Sequence, residues 1–509
     1  MNALTPIPLY VLLLYGLFLA ASYRFRWHER AFDPRKRSHR AAVAVCAALC
    51  LLPAAAVLCA LPHENTAYPF LGLLENENAY NQQFDAFLKG QLALDFQPDA
   101  RILALENPYI WDARTETGAW YPWDRVLFDG QYYSYFGVAP IFTVYFPWYF
   151  LTGTLPAPAT VCFLLCVPGI LAGAALLVVL VRRFVPNASV GLVCLGVFAV
   201  SFGSLQYMVS ASADMYYIAV QSGQTNLLLF LLFAVLGAAP GKKTARRAVC
   251  LALAGVFLAL TAASRPNLLL FAALTVPLFL SMLREKGVRV AGRLVKLFSF
   301  AVPTVLGAAL LMAYNYARFG SALEFGAQYQ LTVADVSTYS VSLSLLLPAV
   351  YCYFLQMPAV QGDFPYLALT YEPVGSYGGY LYTTWMMGAF SLPSLTGILL
   401  APLAYRRGQK KDLVKLFTFI LAAVCCFLLA FVDICFAGVC VRYLTDITAV
   451  AAVFSTALWL DLDSRAAPLS GGKRFAVYAA VSALLFATIL VGALLIFENE
   501  RRYLLQPTV

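Results

Sequence analysis

Apolar runs of 17 to 25 residues, each closed by polar or charged residues, recur along this 509-residue chain, and that length is what a bilayer core about 30 Å thick demands of a helix. Twelve runs predict spanning helices at about 4–23, 41–61, 158–181, 188–208, 221–238, 247–263, 266–284, 295–316, 389–405, 414–434, 445–462 and 474–496. The pattern breaks twice, over about 62–157 and 317–388. The chain therefore divides into two helices (1–61), a long loop, six helices (158–316), a second long loop, and four helices with a polar tail (389–509). The expected fold class is an all-α polytopic membrane protein.

Neither loop is rich in Ser or Gly, and both are dense in aromatic residues, which predicts folded segments lying against the membrane. Ala79 to Leu94 (AYNQQFDAFLKGQLAL) sets Tyr80, Phe84, Phe87 and Leu88 at helical spacing, as in an interfacial helix. Pro140 to Leu151 (PIFTVYFPWYFL) is apolar but too short to span and is broken by Pro147. It reads as a second interfacial or half-inserted helix, and Ser342 to Val360 repeats the theme around Pro348 and Pro358.

Composition agrees: 61% hydrophobic and 12% charged residues lie far from the soluble balance, in which about a quarter of residues are charged. The net charge of +9 does not point to nucleic acid once its placement is considered. Clusters at Arg24 to Arg40, Arg182/Arg183, Lys242 to Arg247, Arg284 to Lys296, Arg406 to Lys415 and Arg465 to Arg474 hold 26 of the 35 basic residues on one side, the cytoplasmic one by the positive-inside rule. Both termini and both long loops then face outward, together with 20 of the 26 acidic residues. The first run lacks a basic leader and a small-residue cleavage site, so it is expected to be retained. Most of the twelve Cys sit inside apolar runs without metal-site spacing. Cys435 and Cys440, beside an outer turn, are left open as a pair.

The outer acids are the candidate chemistry. Glu75, Glu77, Asp85, Asp112, Asp124 and Asp129 fall in one loop near Arg101, Arg114 and Arg125, and a carboxylate at the edge of low dielectric gains basicity. Arg265, in an Arg-Pro pair between two apolar runs, is costly unless it reaches a partner or a surface. A transporter or lipid or glycan flippase is the alternative class. It would place ionisable groups near mid-membrane, whereas the predicted helices carry almost none at their centres.

The order of these features resembles the polytopic GT-C glycosyltransferases, among them family 39, the protein O-mannosyltransferases and lipid A aminoarabinose transferase. Asn76-Glu77-Asn78-Ala79-Tyr80 stands where that family has an acidic motif on its first outer helix, and DGQYYSYFGVAP (Asp129 to Pro140) stands where it has a Gly/Tyr/Pro stretch. Asp214, in SASADMYY, occupies the place of the acid in the next outer turn. YNYARFGSALEFGAQYQL (Tyr314 to Leu331) and VRYLTD (Val441 to Asp446) are similar to its outer Arg/Tyr elements. The resemblance implies a cell-membrane enzyme that moves a sugar from a polyprenyl-phosphate donor to a glycan, lipid or protein acceptor on the extracytoplasmic face, with inversion. It implies Glu77 as base, Asp214 as its partner and Asp85 as a further catalytic candidate. Glu77 and Asp214 are also the candidates for a divalent ion, magnesium or manganese. Tyr80, Asp129, Tyr132, Tyr133, Tyr135, Arg265, Arg318, Arg442 and Tyr443 are the expected substrate contacts. The first acid of the family motif is Asn76 here, which leaves Glu77 to replace it, with Glu75 and Asp85 next in line.

Overall fold

The computed structural model of the chain describes residues 6–60, 78–241, 243–371, 384–405 and 410–498. The protein is all-α and polytopic. Ten helices among the described residues are long and apolar enough to cross a membrane: Arg37–Ala60, Pro158–Phe184, Val190–Ala211, Met215–Gly237, Thr244–Ser264, Pro266–Leu283, Val290–Phe319, Leu413–Phe436, Val441–Arg465 and Gly471–Leu494. Two further expected runs hold shorter apolar helices, Tyr10–Arg24 and Pro393–Ala404. The latter winds as a 3-10 helix opening on Pro393. At about 2.0 Å per residue its 12 residues rise about 24 Å, for which an α-helix would need about 16 residues. Pro266–Leu283 uses the same winding over Pro266–Thr275 before continuing as α-helix over Val276–Leu283.

The helices differ in what surrounds them. Val190–Ala211, Met215–Gly237 and Val441–Arg465 form the centre, with 89% of the most apolar stretch of each buried, against 6% for Val290–Phe319 at the rim. Since lipid removes the hydrophobic drive between helices, buried polar side chains help to join the central ones. Gln224 Nε2 donates to the Thr445 carbonyl at 2.6 Å, Thr448 Oγ1 to the Ser204 carbonyl at 3.1 Å and Thr225 Oγ1 to the Leu165 carbonyl at 2.8 Å. The outward residues of the rim helix, such as Val305, Leu306 and Leu310, are exposed aliphatics suited to hydrocarbon.

The two long loops pack together as a cap over one end of the bundle. The first contains the Ala79–Leu88 helix, whose N-cap Asn78 accepts the Tyr80 N–H at 2.8 Å. Tyr80 and Phe84 turn inward against Tyr145, while Leu88 stays exposed. Ile141–Thr152 is the second short apolar helix and Leu343–Leu355 the third; Phe150 and Leu151 point away from the protein. Between the first two, Val126–Phe128 and Gln131–Tyr133 form a hairpin closed by Asp129 and Gly130, both with positive φ, 49° and 70°. That is the conformation of a type I′ turn, which Asp-Gly favours. The second loop extends the hairpin. Val126 bridges Gln330, the Leu331 N–H donates to the Arg125 carbonyl at 2.8 Å and the Asp124 N–H to the Leu331 carbonyl at 3.1 Å. Arg114 Nη2 reaches the Thr332 carbonyl.

The pairing left open for Cys435 and Cys440 is not made: no disulfide joins them and both are buried, the first in the last turn of the Lys410–Phe436 helix and the second at the N-cap of the next.

Candidate active site

Between the cap and the bundle lies a cavity of about 920 Å³. Its floor is made where helices end. Tyr216 and Ala219 come from the start of Met215–Gly237, Ser264 to Asn267 from the junction of two spans, Tyr314 and Arg318 from the end of Val290–Phe319, and Arg442 and Tyr443 from the start of Val441–Arg465. The cap supplies aromatic walls, including Trp111, Trp123, Tyr135, Phe136, Tyr339 and Trp385. The hairpin segment is seated tightly. A Cβ on Gly137 would lie 2.1 Å from the Ser264 carbonyl oxygen, so the chain approaches this closely only with glycine.

Three arginines line the cavity, and the fold holds each in its own way. Arg265 Nη2 pairs with Asp446 at 2.6 Å, and Asn267 Nδ2 donates to Asp433 behind it at 3.1 Å. Arg318 has no carboxylate in ion-pair contact among the described residues. Its Nη1 donates to the Ser134 carbonyl at 2.6 Å and its Nη2 to Asn315 Oδ1 at 2.8 Å, with its guanidinium 3.9 Å from the centre of the Tyr314 ring. Arg442 lies over Tyr216 at 4.6 Å and Tyr443 at 5.3 Å. Aromatic faces and neutral oxygens orient a guanidinium without cancelling its charge. The result is a fixed set of donors facing an open space.

Asp124 is the only carboxylate among the described residues that line the cavity. It is buried, with φ of 55°, a left-handed conformation that a non-glycine residue keeps only when its surroundings impose it. Here the backbone pairing with Leu331 and the buried Arg125 impose it. Arg125 Nη1 donates to the Trp123 carbonyl at 2.8 Å, and Arg125 Nε to Gln82 Oε1 at 2.8 Å. The Tyr135 hydroxyl donates to Asp124 Oδ2 at 3.0 Å, and Tyr216 donates to the same carboxylate. Burial dominates and pushes the Asp124 carboxyl above its ordinary pKa, against the two tyrosines, Arg125 and Arg442, which favour the ionised form. Burial and the neighbouring Asp124 charge push Tyr135 well up.

The expected site residues divide. Tyr135, Arg265, Arg318, Arg442 and Tyr443 all line the cavity. Asp214 does not; it is the N-cap of Met215–Gly237, its Oδ1 accepting the N–H groups of Tyr216 and Tyr217 at 2.8 and 3.1 Å. It therefore sets the helix-to-helix turn that carries Tyr216. Asp85 lies on the outer face, paired with Lys89 at 2.8 Å. Tyr80 is fully buried against Tyr145 and Phe136. Asp129 is the exposed hairpin tip. Tyr132 fills a cluster under the hairpin with Leu127 and Leu331, and Tyr133 packs on Phe319 and donates to Gln131 Oε1 at 2.7 Å. Glu75 and Glu77 lie outside the described residues.

A divalent ion needs several hard oxygens at one point. Among the described residues no three His, Cys, Asp or Glu side chains gather in that way, and Asp214 commits Oδ1 to a helix cap. Glu77, the other expected ligand, lies outside the described residues.

No protein-family model and no curated protein matches the chain. Solved structures of two GT-C glycosyltransferases are similar to it in layout. ArnT from Cupriavidus metallidurans, bound to undecaprenyl phosphate, matches at 12% identity and a TM-score of 0.42, over 89% of this chain and 77% of that one. The archaeal oligosaccharyltransferase AglB from Archaeoglobus fulgidus, in complex with an inhibitory peptide and a dolichol-phosphate, matches at 14% identity and 0.43, over 91% of this chain and 56% of that one.

Proposed function

We propose that the chain is an integral-membrane GT-C-type glycosyltransferase of the cell membrane. It would move a sugar from a polyprenyl-phosphate donor to an acceptor hydroxyl on the extracytoplasmic face, which the basic-residue asymmetry assigns to the capped end. The observation that carries this reading is the pairing of one buried, basic carboxylate, Asp124, with three arginines across an aromatic-walled cavity at the end of the bundle. The arginines suit the donor phosphate, because guanidinium donors match phosphate oxygens in geometry and charge. The aromatic walls suit the sugar.

In this reading Asp124 takes the proton of the acceptor hydroxyl. The acceptor oxygen bonds the anomeric carbon, and the bond from that carbon to the phosphate oxygen breaks with its electron pair left on the phosphate. Arg318 and Arg442 stabilise the charge that collects there. Attack opposite the leaving phosphate inverts the anomeric centre. Tyr135 and Tyr216 aim the carboxylate, and Asp214 is a positioning residue acting through Tyr216. Glu77 is the second candidate for the base, and no step requires a metal.

The test is transfer by purified, reconstituted protein from a labelled polyprenyl-phosphate sugar. Asp124→Asn is expected to lower turnover by about 10²–10⁴-fold, with Glu77→Gln much milder. The reverse ranking moves the base to Glu77. Full activity in both variants defeats the assignment of an acidic base at this site.

A further inference from the structure

The end of the bundle away from the cap holds a second concentration of charge. Arg247 is 17 residues from Ser264 on one helix and Lys296 is 18 from Tyr314 on another, so each lies about 26 Å or more below the cavity floor. Both side chains are buried, at 3% and 1% exposure. Arg247 Nη1 pairs with Glu285 Oε2 at 2.6 Å and Arg247 Nε donates to the Gly237 carbonyl at 3.0 Å. Lys296 Nζ stands 3.6 Å from the same Glu285 oxygen. Arg293 Nη2 donates to the Glu285 carbonyl at 3.0 Å. Arg183 donates to the Val235 carbonyl at 3.1 Å, near enough for the charges of Arg183 and Arg247 to repel.

One carboxylate thus answers four cations. Helix-end carbonyls take up some donors, but Arg247 Nη2, Arg293 Nε and Lys296 Nζ are buried with no hydrogen-bond partner among the described residues. Buried cations in excess of their counter-charge are strongly unfavourable. An isolated helix-capping role would leave that excess unanswered. A group with several negatively charged oxygens meets it, and at the headgroup level phosphate is the common one.

We infer that Arg183, Arg247, Arg293 and Lys296 form a binding site for a phosphate group at this end of the bundle, supplied by an anionic phospholipid headgroup or by the free anion. The site is separate from the cavity and does not depend on the activity proposed for it.

Native mass spectrometry of the delipidated full-length protein tests this with phosphatidylglycerol, phosphatidylcholine and inorganic phosphate as probes. Wild type is expected to retain phosphatidylglycerol about tenfold better than phosphatidylcholine. Lys296→Met should lose most of that preference, and Lys296→Arg should keep it. Should Lys296→Met not fold, Arg293→Gln at the more accessible edge gives the same readout. Binding of inorganic phosphate alone, lost in the same variants, identifies the free anion as the source. Equal retention of the two lipids without phosphate binding, or a preference untouched by either variant, overturns the site.

Discussion

The two ends of the bundle use cations in opposite ways. At the capped end Arg318 is clamped by the Ser134 carbonyl and Asn315 and stacked on Tyr314, so its charge is fixed in direction before anything binds. At the other end Arg247, Arg293 and Lys296 converge on Glu285 with donors left over. The first arrangement spends neutral contacts on orientation and serves a step in which charge develops at one place. The second accumulates charge and serves attraction. Both are arginine-rich, yet the carboxylate of the first, Asp124, lines an open cavity, whereas that of the second, Glu285, is taken up in ion pairs.

Three changes sharpen that contrast. The largest effect is expected from Arg318→Gln. Loss of charge-assisted contacts worth about 1.5–3 kcal/mol should weaken donor use by about 10–100-fold in kcat/KM, with thermal unfolding little changed. Arg318→Lys should rescue little, since a point charge cannot hold both fixed partners. Next is Gly137→Ala, which must push the cap off the Ser264 carbonyl. A cost of about 1–3 kcal/mol should appear as a lower unfolding temperature together with lost activity, and lipid retention at the opposite end should persist.

The smallest is Tyr216→Phe, which removes a hydrogen bond worth about 0.5–1.5 kcal/mol from Asp124. As a base Asp124 works ionised, so activity falls as pH drops through its raised pKa. Removing a donor that favours the ionised form moves that acid limb to still higher pH. A pH profile of kcat/KM measures the shift, and an unmoved limb would detach Asp124 from the chemistry.

The spanning helices were legible because the bilayer dictates them: only long apolar runs satisfy their own backbone in lipid. Even the 3-10 segment at Pro393 fell inside an expected run. The short helices at Ala79 and Ile141 were legible too, the first from the helical spacing of its aromatic residues and the second as an apolar run too short to span. The hairpin was not read, although its signal was present, since Asp129-Gly130 separates VLF from QYY and such a dipeptide closes two-residue hairpins. Reading the stretch as cleft lining placed Asp129, Tyr132 and Tyr133 in the site when they build the support beneath it. Asp124 looked like any other loop acid. What singles it out is a left-handed backbone set by Leu331, more than 200 residues away, and such a pairing leaves no local trace. Asp214 was noticed for its position, but its neighbours show a cap.

The Val290–Phe319 helix, nearly bare of protein neighbours along its outer side, has a consequence for how this gene can change. Its lipid-side letters answer to the solvent of the membrane and not to a partner surface, so aliphatic exchanges there should pass through selection almost freely. Tyr314, Asn315 and Arg318, on its last turns, are held by fixed neighbours. Among homologues that single helix should show drift along its middle and stasis at both tips, at Arg293 and Lys296 as well as at Tyr314 to Arg318.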